Sequence, residues 1–455
     1  MSFCQDIHTS NQMSKRSRRQ CLPGPCERIT VESLAHDGRG VAHRDGKAIF
    51  IDGALPDEEV AFEYLATHRK YDEGRVTDVL RPSPDRVEPK CPHFGVCGGC
   101  SLQHMAAAAQ LGSKQQVLLD NLQHIGKVSP ATLLEPLTGP VWGYRTKARL
   151  GVRHVIKKGR VLVGFREKRS TFLADLHGCE VLHPSVGRRI GEIAQLIDQL
   201  NARARIPQIE VAVAEPVTAL VFRNLDPLEA ADLERLAQFG VDTGIHIYLQ
   251  PAGPESVQLL WPNASTLSYR LPGQAVEIEF RPTDFTQINP VINGQIAARV
   301  LELLDLDDTH RVLELFCGLG NFTLPVARHA GEVAGVEGDA ALVSRARENA
   351  QRNGLRNISF HTADLAERVT EASWAGAAYD RVLLDPPRSG AAAAMDLLGN
   401  IRPERIVYIS CHPGSLARDA DRLVNEFGYR LQAAGVMDMF PHTAHVESMV
   451  LFENG

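Results

Sequence analysis

At 455 residues, 44% of them hydrophobic and 23% charged, the chain is long enough for several cores and has the composition of a folded globular protein. No run of about 18 apolar residues occurs, so no transmembrane helix is expected, and the amino end lacks the apolar stretch of an export signal, so the expected location is the cytoplasm. The net charge of −6 excludes nucleic-acid binding by bulk charge, so any such surface must be local.

Residues 1–25 are polar, carry Lys15-Arg16-Ser17-Arg18-Arg19 and Pro23-Gly24-Pro25, and read as a disordered basic tail. From 26 to 87 come short alternating runs, ITVESLA, GVAHRDG, KAIFIDGALPDEEVAFEYLA and EGRVTDVL, read as about five strands. They are broken by the turn pairs Asp37-Gly38, Asp45-Gly46 and Asp52-Gly53. A small β-barrel of the OB-like or SH3-like kind fits this pattern, and such barrels are nucleic-acid platforms.

The region 88–282 opens on Cys91, Cys97 and Cys100, in CPHFGVCGGCSLQH. Nine cysteines, an odd number, argue against a disulfide framework in a cytoplasmic chain. Three clustered thiols with glycines between them can wrap a soft metal centre. Cys179, in LHGCEVLHP, is the nearest fourth thiol outside the tail, while His93 or His104 could complete a zinc site instead. Zinc and a four-iron cluster are both compatible with the spacing. A helix is expected over about 103–125 and another near 186–202, among strands. Between Val141 and Ser170 stand Arg145, Lys147, Arg149, Arg153, Lys157, Lys158, Arg160, Arg166, Lys168 and Arg169 against the single acid Glu167, with Trp142, Tyr144 and Phe165 interleaved. Such a run is expected to contact phosphates and to stack on bases.

From 283 to 455 strands and helices alternate. RVLELF, EVAGVEG, ISFHTAD, RVLLDPP and RIVYIS are the strands, and NFTLPVARHA, ALVSRARENAQRNG, AAAAMDLLGNI and SLARDADRLVNEFG the helices between them. GYRLQAAGVMDMF and HVESMVLF follow as an antiparallel pair, giving a doubly wound α/β domain. The loop Cys317-Gly318-Leu319-Gly320-Asn321 follows the first strand, Glu337 ends the second and Asp364 the third. Glycines admit a ligand close to the backbone, an acid ending the second strand accepts from ribose hydroxyls, and Asp364 can accept from an adenine amine. The loop is not GxGxxG, so S-adenosylmethionine, a nucleoside without phosphate, fits better than a dinucleotide.

Asp385-Pro386-Pro387 ends the fourth strand and Cys411 ends the fifth, in IVYISCHPGSLARD. Asp-Pro-Pro turns also serve amine methylation, but an amine has its own lone pair and needs no thiolate. A pyrimidine C5 does need one: a thiolate added at C6 makes C5 nucleophilic. A base must then remove the C5 proton, and Glu447, in the edge segment, is the candidate.

LFCGLGNFT, DPPRSG, SCHPGSLARD and HTAHVESMVLF resemble the RNA uracil-5 methyltransferases. The amino-terminal β segment looks like a TRAM domain, and the cysteine pattern looks like the cluster motif of the branch acting on 23S ribosomal RNA. The resemblance implies a Rossmann-like S-adenosylmethionine methyltransferase domain (283–455). Before it would come an OB-like TRAM barrel (26–87) and an α+β central domain (88–282) bearing a four-iron, four-sulfur cluster. It implies Cys411 as nucleophile and Glu447 as base. Gln287, Phe316, Asn321, Glu337, Asp364 and Asp385 would line the S-adenosylmethionine and uracil sites, and Cys91, Cys97, Cys100 and Cys179 would bind the cluster. The expected partner is 23S rRNA, met by a monomer with no obligate protein partner. A tRNA substrate, or an iron–sulfur RNA-binding protein without activity, are the alternatives. Two positions depart from the family pattern: His412 stands where Asn is common, and Asp364 where some members have Asn.

Overall fold

The computed structural model describes residues 27–367 and 374–455. The basic tail expected at 1–25 lies outside them. The chain divides into two compact units, one of residues to Ala35 with Arg39–Pro84, the other of His36–Gly38 with Asp85–Gly455.

The first unit is a six-stranded sheet in the order Glu27–Thr30, Glu59–Thr67, Tyr71–Arg81, Lys47–Asp52, Gly40–Arg44 and Ser33–Leu34. The two-residue strand Ser33–Leu34 is the addition to the five expected. Asp45 and Gly46 join Gly40–Arg44 to Lys47–Asp52 with φ of 50° and 76°. Both residues of a tight hairpin turn must take that left-handed conformation. Ile49, Ile51, Val60 and Phe62 fill the core.

In the second unit a mixed sheet runs Gln258–Trp261, His246–Gln250, Thr218–Arg223, Gln208–Val213, Lys147–Val155, Arg160–Gly164. The helices Ile190–Asp198 and Ala230–Thr243 cover one face, burying Ile190, Ile193, Ile197 and Leu236 against Leu150, Ile209 and Ile247. The helix expected near 186–202 resolves into the single turn Pro184–Gly187 followed by Ile190–Asp198. Ala212, Val221 and Tyr248, from strands of the same sheet, join a core that continues through Ile292 and Val300 to Val312, Leu383 and Met449. The residues to either side of position 282 therefore share one apolar core.

The last sheet has eight strands in the order Ile358–Thr362, Glu332–Glu337, Arg311–Leu315, Arg381–Leu384, Arg405–Ser410, Glu447–Asn454, Tyr429–Met437, Thr132–Leu133. The first five are parallel. Strand order reverses between Arg311–Leu315 and Arg381–Leu384, and open α/β sheets bind ligands at the carboxyl ends beside such a switch. Glu447–Asn454 is inserted antiparallel between Arg405–Ser410 and Tyr429–Met437. The helix after the glycine loop is only Thr323–Ala327, shorter than expected, while the one after Cys411 begins at Pro413 and runs to Asp421. Among the described residues no helix is long and apolar enough to cross a membrane.

Candidate active site and thiol recess

The glycine loop is shaped by left-handed backbone: φ is 67° at Phe316, 54° at Gly318 and 87° at Gly320. A Cβ on Gly320 would sit 2.2 Å from Leu324 Cδ1, so only glycine fits. Glu337 holds the loop from the next strand, accepting from Gly318 N at 3.1 Å and Asp339 N at 3.1 Å. Asn321 is tied down from the other side. Its oxygen accepts from Tyr269 Oη (2.8 Å) and Asn293 Nδ2 (2.9 Å), and its amide donates back to Asn293 Oδ1. Asp364 is exposed and accepts from Ala366 N at 2.9 Å.

Gln287 is half-buried on the segment 281–289, which is clamped at several points. Lys147 Nζ donates to Pro282 O, Arg345 donates to Asp284 at 2.7 Å, and Thr146 N donates to Ile288 O at 2.9 Å. Between these clamps Phe285 is 70% exposed. Sequence reasoning passed over this aromatic. Its signal was an aromatic in a polar run, with Thr283 and Gln287 rather than apolar residues at strand spacing on either side.

Register brings Cys411 and Glu447 together. Ser410 pairs with Ser448 across the antiparallel ladder, so the residue after the first and the residue before the second sit at neighbouring strand ends. The electrostatics agree. Burial pushes the Cys411 thiol up to about 11, the Glu447 and Asp385 carboxylates push the same way, and Arg388 opposes them. Burial likewise raises Glu447 to about 8 with help from Asp385, against Arg388 and Lys114, and raises Asp385 to about 7. Thiol, two carboxyl groups and the exposed Arg388 guanidinium thus lie near enough for each charge to act on the others.

Two residues with no assigned role fix the backbone next to Cys411 and after the DPPRSG loop. His412 is the N-cap of Pro413–Asp421: its Nδ1 accepts from Ser415 N at 3.1 Å, and Ser415 Oγ donates to His412 O at 2.9 Å. Asn is a preferred cap for the same reason, a short side-chain acceptor aimed at an unpaired amide. The departure at His412 therefore keeps the function of the cap. Asp419 accepts from Tyr408 Oη at 2.7 Å and from Ala391 N at 2.8 Å, fastening the end of the DPPRSG loop to the fifth strand.

Away from these residues, Cys91, Cys97, Cys100 and Cys179 line one recess with Phe94, Phe165 and Leu176. All four are free thiols. Gly99 N donates to Cys97 Sγ at 3.4 Å, and the backbone of Leu182 and Val181 bonds the sulfur of Cys179. Cys179 is also placed by Gly187, where a Cβ would meet Cys179 O at 2.4 Å. Four thiols with amide donors aimed at sulfur are a donor set for a soft centre such as an iron–sulfur cluster. Among the described residues no three or more His, Cys, Asp or Glu side chains close on a single metal-ion position. His93 lines the recess and accepts from His177 N at 3.3 Å, whereas His104 is buried against Phe94.

The expectation of a stacking platform is corrected for Tyr144. Tyr144 is 5% exposed and its hydroxyl donates to Pro441 O. Trp142 is stacked on His442 at 3.8 Å, and Phe165 lines the thiol recess. Tyr144 is thus a packing residue of the core shared across position 282, while Trp142 and Phe165 are half-buried. Part of the charge run is internally matched too: Arg149 pairs with Glu210, and Lys158 and Arg160 pair with Asp175.

A sheet of this order, with a glycine loop, strand-end acids and a strand-end thiol beside a carboxylate, defines a Rossmann-like methyltransferase fold. The fold is shared over nearly the whole chain with the solved structure of a tRNA (uracil-54, C5)-methyltransferase from Pyrococcus abyssi. There the TM-score is 0.71 at 22% identity, covering 94% of this chain and 100% of that one. The profile of the tRNA (uracil-5-)-methyltransferase family matches residues 217–455, and that of the TRAM domain matches 22–77. Relatives named 23S rRNA (uracil(1939)-C(5))-methyltransferase RlmD are 54% identical in Alkalilimnicola ehrlichii and 53% in Methylococcus capsulatus. Each alignment covers 97% of this chain, with 99% and 100% of the respective relative. The chain belongs to the uracil-5-methyltransferase family.

Proposed function

We propose that this protein methylates C5 of a uridine in 23S rRNA, the position numbered 1939 in its relatives' names, using S-adenosylmethionine. It acts in the cytoplasm as a monomer. The observation that carries the chemistry is the Ser410–Ser448 register, which sets Cys411 beside Glu447 at neighbouring strand ends. The target rests on identity above 50% over nearly the whole length of the relatives.

The amide dipoles at the start of Pro413–Asp421 and the Arg388 guanidinium favour the Cys411 thiolate. Cys411 Sγ forms a bond to uracil C6, and the electron pair of the C5–C6 double bond moves towards O4. S-adenosylmethionine supplies an electrophilic methyl group. C5 takes that methyl as the sulfonium S–CH3 bond breaks and S-adenosylhomocysteine leaves; Glu447 as carboxylate then removes the C5 proton while the Sγ–C6 bond breaks and the double bond returns. Phe285, exposed beside Gln287, offers a face on which an unstacked base can rest. Gln287, Phe316, Asn321, Glu337, Asp364 and Asp385 border the donor and uracil sites, Asn321 through the backbone it fixes. Cys91, Cys97, Cys100 and Cys179 would hold a four-iron, four-sulfur cluster, which would cross-link that recess. The TRAM unit binds RNA.

Cells lacking the protein should lose one 5-methyluridine from 23S rRNA and keep those of tRNA; the reverse pattern would assign it to tRNA instead. Cys411→Ala should abolish methyl transfer while RNA binding persists. Glu447→Gln should trap a covalent protein–RNA adduct visible on a denaturing gel, and a Glu447→Gln enzyme that turns over normally removes Glu447 as the base.

A further inference from the structure

The helix Ala107–His124 buries a stripe of Gln110, Lys114, Leu118 and Leu122, and the first two of these are polar. Both reach the loop that leads into Glu447. Lys114 is 3% exposed and donates to Asp438 Oδ1 at 2.7 Å and to Phe440 O at 3.0 Å. Gln110 Oε1 accepts from His442 N at 2.8 Å while its amide donates to Leu102 O and Met105 O. The segment after Cys100 binds the same loop directly. Ser101 N and Leu102 N both donate to His442 O, at 2.9 and 3.0 Å, and Ser101 Oγ accepts from Ala444 N at 3.0 Å. Tyr144 Oη donates to Pro441 O, and Trp142 stacks on the His442 ring.

These bonds hold a backbone that does not rest where it is by preference. His442 has φ of 66°, the left-handed region, and it is buried. A residue other than glycine stays there only when its surroundings over-determine it. Five residues later comes Glu447, on which the charges of Asp385, Arg388 and Lys114 act and which itself acts on Cys411.

Resting on the reading of Glu447 as base, we propose that Ser101, Gln110 and Lys114 are positioning residues for it. The segment that carries Cys100 is bonded into the base's loop, so that disturbance at the thiol recess acts on the second half of the reaction, C5 deprotonation and release of Cys411. Addition of Cys411 and methyl uptake need no group from that loop and remain intact.

The two halves can be separated with RNA fragments containing either uridine or 5-fluorouridine at the target, because fluorine at C5 cannot leave as a cation and holds the adduct after methylation. Ser101→Ala and Lys114→Met, purified as full chains with iron and sulfide measured, should form the 5-fluorouridine adduct at the wild-type rate. With uridine RNA they should release product about 10-fold more slowly or worse, within the range a general base contributes. Amide hydrogen exchange over 438–447 should be about fivefold faster in Ser101→Ala, as loss of one hydrogen bond implies, with iron content unchanged. Ser101→Thr and Lys114→Arg should restore release. Should Lys114→Met fail to fold, Ser101→Ala alone decides. Unchanged release, or equal loss of both steps, overturns the proposal. A wild-type enzyme that forms no 5-fluorouridine adduct overturns the covalent mechanism itself, and the proposal with it.

Discussion

Glu447 is a carboxyl group kept where carboxylates are poorly stabilised, and this has a consequence for stability as well as for rate. Its folded pKa of about 8 lies above the ordinary value of 4.5. Below pH 4.5 the group is protonated in folded and unfolded chains alike. Between 4.5 and 8 the unfolded chain gives up the proton and the folded one keeps it, so the stability conferred by a neutral Glu447 is lost progressively as pH rises. Asp385, raised to about 7, acts in the same sense. Glu447→Gln removes the titration. Its melting temperature should match wild type near pH 5 and exceed it increasingly up to pH 8.5. A constant difference across that range contradicts the burial of Glu447. Cys91, Cys97 and Cys100 stand out by spacing and Cys411 by its strand-end position, while spacing alone leaves the fourth place open between Cys179 and His93 or His104. Lys114 and Asp419 could not, because a lysine on a helix and an acid in SLARD read as solvent-facing, and only tertiary packing turns them inward.

Among the elements, the parallel strands were legible because fully buried strands are continuous apolar runs bounded by turn residues. RVLELF, RVLLDPP and RIVYIS have that form, and each contains a strand of the observed sheet. The register between Arg405–Ser410 and Glu447–Asn454 was not legible, since nothing in either strand names its partner. Tyr144 was misread for a related reason: interleaved charge says that a strand has a wet side, not which aromatic faces it. The helix Pro413–Asp421 offers a direct check on its cap. His412→Ala should cost about 1 kcal/mol of stability, whereas His412→Asn should cost a few tenths at most. Chemical denaturation of the three proteins measures both. An equal loss in the two variants would mean that the imidazole does more than accept from Ser415 N.

For the molecule as a whole, the shared core across position 282 makes a cooperative claim. The unit Asp85–Gly455 should unfold in one calorimetric transition, since Ala212, Val221, Val312 and Leu383 belong to one cluster. The thiol recess stands where that core meets the one under the central helices: Cys100 and Cys179 pack on the first, Cys97 and Cys179 on the second. Cys97→Ser should therefore lose iron and sulfide after anaerobic purification and lower the temperature of that transition. A Cys97→Ser protein with full iron content would refute the ligand assignment.

The strand Glu447–Asn454 follows both of its neighbours in the chain and lies between them. Synthesis on the ribosome proceeds from the amino end, so Arg405–Ser410 and Tyr429–Met437 emerge before the strand that must be threaded into the gap. Cys411, the proposed nucleophile, is thus made before Glu447, the proposed base. The sheet closes only when the last strand, which carries Glu447, has arrived.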